Sequence, residues 1–227
     1  MKIPNCVGII MDGNRRWAKN KGLSPLKGHH AGAETLKKIV RAGKDAGVGH
    51  MIFYTFSTEN WSRTPEEVSY LLNLIGEFVE REFEEFHREG GVVHFVGDMS
   101  RFSPKLQKIF YDIQEKSKNN TSLHIYFALN YGGREEILSA VNKIIEKGHH
   151  TKNITEEYFA KHLQTGDMPD PDIIIRTSGE MRLSGFLPWQ SVYSELFFTP
   201  TLWPDFSKEE FLKILEEYGE RDRRHGK

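Results

Sequence analysis

Short apolar runs alternate along this chain with longer stretches whose apolar residues recur every three or four positions, and no other feature constrains its folding as strongly. Val7-Gly8-Ile9-Ile10-Met11 reads as a buried strand, and 50–56, 92–96, 123–129 and 173–175 read the same way. Helical patterns occupy 30–46, a stretch from Ser103-Pro104, 134–147, 155–163 and 207–218. In the first of these, Ala33, Leu36, Ile39 and Val40 face inward. Thr64-Pro65-Glu66-Glu67 combines a capping hydroxyl, a proline at the first helical position and early acids, and it opens a helix that runs to about Glu89. Val68, Leu71, Leu72, Ile75, Phe78, Val79, Phe83 and Phe86 give that helix one continuous apolar face. Such alternation predicts a single α/β domain over 1–227, with a mainly parallel central sheet flanked by helices on both faces. Ligands of these sheets bind beyond the carboxyl ends of the strands, so chemistry is expected just after Met11, Phe56, Leu129 and Ile175.

Composition narrows the partners. Charged residues make up 28% but nearly cancel to a net charge of -1, against the basic excess of a nucleic-acid binder, so any phosphate site must be local. The lone Cys6 leaves no intramolecular disulfide and no cysteine-rich zinc site. No apolar stretch approaches the roughly 18 residues of a membrane span, and no secretory leader pattern is visible. A cytosolic protein is expected, with contact at a membrane surface left open.

Three polar constellations follow strands. After the first come Asp12-Gly13-Asn14-Arg15-Arg16-Trp17, where a glycine and a helix start can face an anion, Arg16 can bind phosphate and Asp12 can hold magnesium beside it. A turn with a capping aspartate and solvated arginines explains the same residues equally well. After the second strand come Phe56-Ser57-Thr58-Glu59-Asn60-Trp61-Ser62-Arg63, a mixture suited to a ligand with an apolar body and a charged head. The competing reading is a polar loop capping the long helix. After the isoleucine strand, Arg176, Thr177, Ser178, Arg182 and Ser184 surround Gly179, so their forks and hydroxyls can wrap a diphosphate. His29 and His30 offer an acid, a base or a helix cap. His149 and His150 read as loop residues. Glu195 enters an apolar strand and therefore needs an arginine or a metal ion as partner.

Met11 to Ala18, Gly28-His29, Phe56 to Arg63, Asn130-Tyr131-Gly132-Gly133-Arg134, Ile175 to Glu180 and Leu202-Trp203-Pro204-Asp205-Phe206 together resemble the signature blocks of the cis-prenyltransferases, in family order over essentially the whole chain. The resemblance implies a homodimer with an apolar tunnel. It also implies condensation of isopentenyl diphosphate onto an allylic diphosphate such as farnesyl diphosphate, to give undecaprenyl diphosphate or a shorter homologue as the precursor of a glycan lipid carrier. It places the allylic diphosphate on Gly13, Asn14, Arg15 and Arg16, with Trp17, His29, Phe56, Glu59, Trp61 and Arg63 lining the substrate site. It places Asp12 at Mg2+ and at diphosphate departure, and isopentenyl diphosphate on Arg176, Arg182 and Ser184 with Glu195 as a second metal ligand. Ser57 and Asn60 fall near the proton that is lost, and Arg224 and Gly226 form a C-terminal Arg-x-Gly that reaches a partner subunit's site.

Two positions depart from the family pattern. Pro25 stands where an arginine often precedes the Gly-His histidine by four residues, and Arg15 stands where bacterial enzymes often have glycine. Both bear on substrate preference rather than reaction class. The tunnel wall is expected from Leu71, Leu72, Ile75, Phe78 and Val79 with Ile125-Tyr126-Phe127, residues that also suit an ordinary core, and the bulk of Tyr126 and Phe127 allows a shorter product. A non-catalytic partner subunit would be expected to lack the first-strand aspartate and the substrate arginines, yet Asp12, Arg16, Arg176 and Arg182 are present. A nucleotide-binding protein would be expected to carry a glycine-rich phosphate loop at a strand end, which is not seen.

Overall fold

The computed structural model describes residues 2–147 and 153–221. Six strands form one all-parallel sheet: β1 (Cys6–Ile10), β2 (His50–Ser57), β3 (Val92–Val96), β4 (His124–Tyr131), β5 (Ile173–Arg176) and β6 (Glu195–Phe198), in the order β3-β4-β2-β1-β5-β6. The helices are α1 (Asn14–Asn20), α2 (Pro25–Ala46), α3 (Pro65–Arg88), α4 (Pro104–Ser117), α5 (Gly133–Glu146), α6 (Glu156–Ala160) and α7 (Lys208–Glu220). Helix α2 begins before the expected 30, because Ser24 is extended and Pro25 takes the first helical turn, where its missing N–H costs nothing.

Alternation along the strands divides the core into two layers. Val7, Ile9, Met51, Phe53, Ile125, Phe127, Ile173 and Ile175 face the layer that contains residues of α2, α3, α4 and α7, which is the larger one. Cys6, Ile52, Tyr126, Ala128 and Ile174 face the other, covered chiefly by Met168, Leu183, Phe186 and Leu187 from the irregular stretches before and after β5. Loop residues make up much of the cover on this second face, and α6 is only five residues long.

From β1 the chain moves to β2 on one side, whereas from β5 it moves to β6 on the other. The β1/β5 boundary is thus the point where strand order reverses, and a crevice opens there beyond the strand ends. Ile10 pairs with Arg176 across it, so the residues following β1 and ending β5 meet.

Candidate active site

Asp12 and Arg176 sit at this reversal. Arg176 Nη2 donates to Asp12 Oδ2 at 2.8 Å, and its Nη1 donates to Ser184 Oγ at 2.9 Å and to the Arg182 carbonyl. The Arg176 side chain is only 5% exposed, yet its Nε has no acceptor. A buried donor without a partner is costly, and a ligand oxygen would relieve it. Arg16 reaches across from α1, donating to Ser178 Oγ at 2.6 Å and to the Ser178 carbonyl at 3.1 Å, and lies 3.8 Å from Asp12. Arg182 pairs with Glu180, which also lies 3.6 Å from Arg16. Burial opposes ionisation of Asp12, but hydrogen bonds from Arg176 and Ser178 and the charges of Arg176 and Arg16 outweigh it and hold the carboxyl below its usual range. The result is a cluster of Arg16, Arg176 and Arg182 against Asp12 and Glu180, cationic on balance and suited to a polyanion.

The backbone holds this cluster close. Gly13 has φ 111°, a left-handed conformation, and a Cβ there would lie 2.9 Å from Leu202 Cδ2. Thr177 Oγ1 donates to the Asp12 carbonyl at 2.7 Å. Ser178 and Ser184 both have positive φ, the strain that lets one short loop turn both hydroxyls toward arginines.

A second charged group lies where α2 meets the start of α3. Glu67 Oε1 accepts from Arg63 Nη1 at 2.9 Å, and lies 3.7 Å from His29 Nε2 and 3.8 Å from Arg15 Nε. His29 Nε2 is buried without a hydrogen-bond partner. Burial, reinforced by Arg63 and Arg15 and only partly opposed by Glu67, pushes the His29 ring down to about 4, so it is neutral at neutral pH. Asn14 Oδ1, also buried without a partner, lies close against Gly32.

Other expected residues have structural duties. Ser57 and Asn60 form a reciprocal capping box, with Ser57 N donating to Asn60 Oδ1 at 3.0 Å, at the start of a 3-10 turn over Thr58–Ser62. Glu59 is exposed. Phe56 is 1% exposed and packs edge-on to Trp61 and Phe102, so it belongs to the core. Trp61 Nε1 donates to Asn130 Oδ1 at 2.7 Å, which accounts for part of the Asn130 block. Trp17 Nε1 donates to Asp205 at 2.7 Å, and the buried Trp203 donates to the Gly32 carbonyl at 2.8 Å. The Leu202–Phe206 block therefore secures α1 and α2.

Glu195 stands apart. It pairs in register with Ile173, three residues before Arg176, which places it about 10 Å down the sheet from the strand ends. Its carboxylate binds Arg221 at 2.6 Å, and Arg221 in turn lies over the Phe197 ring. Asp12 and Glu195 do not meet within one chain. Arg224, Gly226, His149 and His150 lie outside the described residues.

Two apolar cavities follow α2 and α3, and the first of them borders the charged region at Asn14 and His29. One, of about 90 Å3, touches Met11, Asn14, His29, Leu71, Ile75 and Trp203. The other, of about 70 Å3, lies deeper between α2, α3 and the sheet, and both are bounded by Leu36, Phe78, Val79 and Phe127. Phe127 and Ile125 border this tract, but Tyr126 does not. Strand alternation turns Tyr126 to the opposite face, against His94 and His50. Its bulk cannot narrow a tunnel on this side.

Sequence reading overlooked Glu67 and Glu180. The first resembled a helix-start acid, although its i,i+4 spacing from Arg63 was a signal.

The model of the family described as "Putative undecaprenyl diphosphate synthase" matches residues 10–226. This chain belongs to the cis-prenyltransferases. An isoprenyl transferase of Thermotoga maritima is 48% identical over 100% of this chain and 98% of that protein, and one from Clostridium perfringens is 45% identical over 99% and 90%. A lavandulyl diphosphate synthase from Lavandula x intermedia, crystallised with dimethylallyl diphosphate, matches with TM-score 0.95 and 34% identity over 99% of both chains. A probable undecaprenyl diphosphate synthase from Campylobacter jejuni matches with TM-score 0.84 and 30% identity over the whole of both chains. The chain is thus an enzyme of the cis-prenyl transferase class, on the sheet architecture of these neighbours.

Cis-prenyltransferase chemistry implies a divalent cation. Among the described residues no group of three or more His, Cys, Asp or Glu is arranged to hold one. The half-buried Asp12 carboxylate beside a cluster of phosphate-type donors fits magnesium all the same, because Mg2+ commonly takes one or two carboxylates and completes its shell with substrate phosphate and water.

Proposed function

We propose that the enzyme condenses isopentenyl diphosphate with an allylic diphosphate, farnesyl diphosphate foremost, to form a cis-polyprenyl diphosphate of undecaprenyl length or shorter. One observation carries this reading: the Asp12–Arg176 pair and its flanking arginines stand at the head of an apolar tract that starts at Asn14 and His29. The allylic diphosphate sits at Asn14, Arg15 and Arg16 with its hydrocarbon in the tract. Isopentenyl diphosphate is held by Arg176, Arg182 and Ser184. The C–O bond of the allylic ester breaks and the electron pair leaves with diphosphate, whose developing charge the arginines stabilise. Asp12 would hold magnesium beside that diphosphate, where the ion would supply Lewis-acid neutralisation of the charge. The π-electrons of isopentenyl diphosphate form the new C–C bond, and the resulting cation loses a proton near Ser57 and Asn60 to the departed diphosphate, which completes the step. Holding both substrates at fixed orientation supplies much of the rate.

Pairing of two chains is supported by apolar residues facing outward. Leu138, Val141 and Ile145 recur at spacings of three and four on α5, and Val192, Tyr193 and Leu196 are also exposed. No helix among the described residues is long and apolar enough to cross a membrane, and we place the enzyme in the cytosol with membrane contact through its lipid product.

The test is incubation of the purified protein with labelled isopentenyl diphosphate and farnesyl, geranyl or dimethylallyl diphosphate, with and without EDTA. Magnesium-dependent cis products establish the reading. A folded dimer that yields no product with any primer overturns it in favour of a non-catalytic subunit.

A further inference from the structure

The deeper cavity is roofed by charge. Its solvent edge is formed by Lys37, Arg41 and Lys44 of α2, and by Glu82 and Glu85 of α3 with Glu89 just past its end, cations on one side facing anions on the other. Arg41 Nη2 lies 2.5 Å from Glu85, Lys44 Nζ lies 2.6 Å from Glu89, and Lys37 bridges Glu82 and Glu85. Lys44 also donates to the Glu89 carbonyl at 3.3 Å. Below this row the space is apolar, walled by Leu36, Val40, Phe83 and Phe86 with the sheet residues Ile125 and Phe127.

A row of one sign on each helix, spaced by three or four residues, makes a clasp that joins two helices across a cavity instead of packing them together. Long cationic side chains lay their methylene stems along the apolar wall and keep their heads in water, so the clasp is also a lid. The bridged pairs are partly exposed, and pairs of that kind are individually weak and screened by salt.

Resting on the reading above, we infer that this α2–α3 ion-pair clasp is the far stop of the hydrocarbon tract and sets product length. A chain growing from the Asp12 end fills the nearer cavity, passes Phe78 and Phe127, and meets the clasp from below. The apolar wall holds it there until further growth requires α2 and α3 to part. Clasp strength, rather than the girth of one side chain, then decides where elongation stops, and product length becomes sensitive to ionic strength.

The experiment compares product-length distributions at low and high salt for the wild type, Arg41→Glu, Glu85→Arg and the double swap, with Lys108→Ala, which breaks an exposed pair within α4, as control. The single substitutions are expected to lengthen the most abundant product by at least one isoprene unit and to weaken its salt dependence, since Lys37–Glu82 and Lys44–Glu89 remain. The double swap is expected to restore both, and the control to match the wild type. Unchanged or shorter products from active single variants overturn the clasp while leaving the proposed reaction intact. A wild type that makes no polyprenyl product fails the reaction itself. Circular dichroism separates misfolding from loss of the clasp, and the swap, which preserves composition, guards against it.

Discussion

At the scale of single residues, the site is organised by which charges lack enough partners. Asp12 is kept ionised by Arg176 and Arg16, so it is ready to serve a cation over the whole neutral range. Asp12→Ala is expected to lower turnover by about 10^3-fold with the fold intact, the scale of losing one key electrostatic group; steady-state kinetics and circular dichroism check both halves. Arg182, its head exposed beside Glu180, is expected to act mainly in binding, so Arg182→Ala should raise KM for isopentenyl diphosphate and leave the allylic KM near its original value. His29 adds a pH dependence. Its ring is pushed down to about 4, so as pH falls below about 6.5 the unfolded chain takes up a proton that the folded chain refuses. The unfolded state then binds more protons, and stability is lost progressively from about pH 6.5 toward 4. Urea midpoints across that window should fall less steeply for His29→Gln than for the wild type. Asp12, Arg16, Arg176 and Ser184 were legible in the sequence because each follows a strand end. The burial of Phe56 and the bond from Trp17 to Asp205 were not legible, because residue type does not disclose burial or a distant partner. Glu67 was hidden because its basic neighbours Arg15, His29 and Arg63 come from three separate segments.

At the scale of elements, the close crossing of α1 and α2 carries the most risk. A Cβ on Gly28 would lie 2.1 Å from the Asn14 carbonyl oxygen, a backbone atom that cannot move without shifting α1. Gly28→Ala should therefore gain nothing from helix propensity and instead destabilise by about 1–3 kcal/mol, read as a lowered Tm together with a raised KM for the allylic substrate. The caps of α3 and α4 were legible as Thr64-Pro65 and Ser103-Pro104, and their hydroxyls accept the backbone N–H of Glu67 and Leu106. The phase of β4 was not legible. A run buried on both faces carries no polar alternation to say which residues face α3, so Tyr126 was assigned to the wrong layer.

At the scale of the whole molecule, parallel order followed from the strand–helix alternation, whereas strand neighbours did not, because each crossover of a parallel sheet can land on either side. Pairing of chains is argued at this scale too. If two chains pair through α5 as proposed, Leu138→Glu combined with Val141→Glu should leave the fold intact and give a monomer in analytical ultracentrifugation where the wild type sediments as a dimer, because charges replace exposed apolar surface. The strand order has a consequence for synthesis. Asp12 and Arg176 are 164 residues apart, and β1 keeps an open edge of unpaired backbone groups until β5 arrives. A nascent chain emerging from the ribosome holds the apolar centre of its sheet half-finished for most of translation, and the reaction crevice can close only once the chain has been made past Ser184.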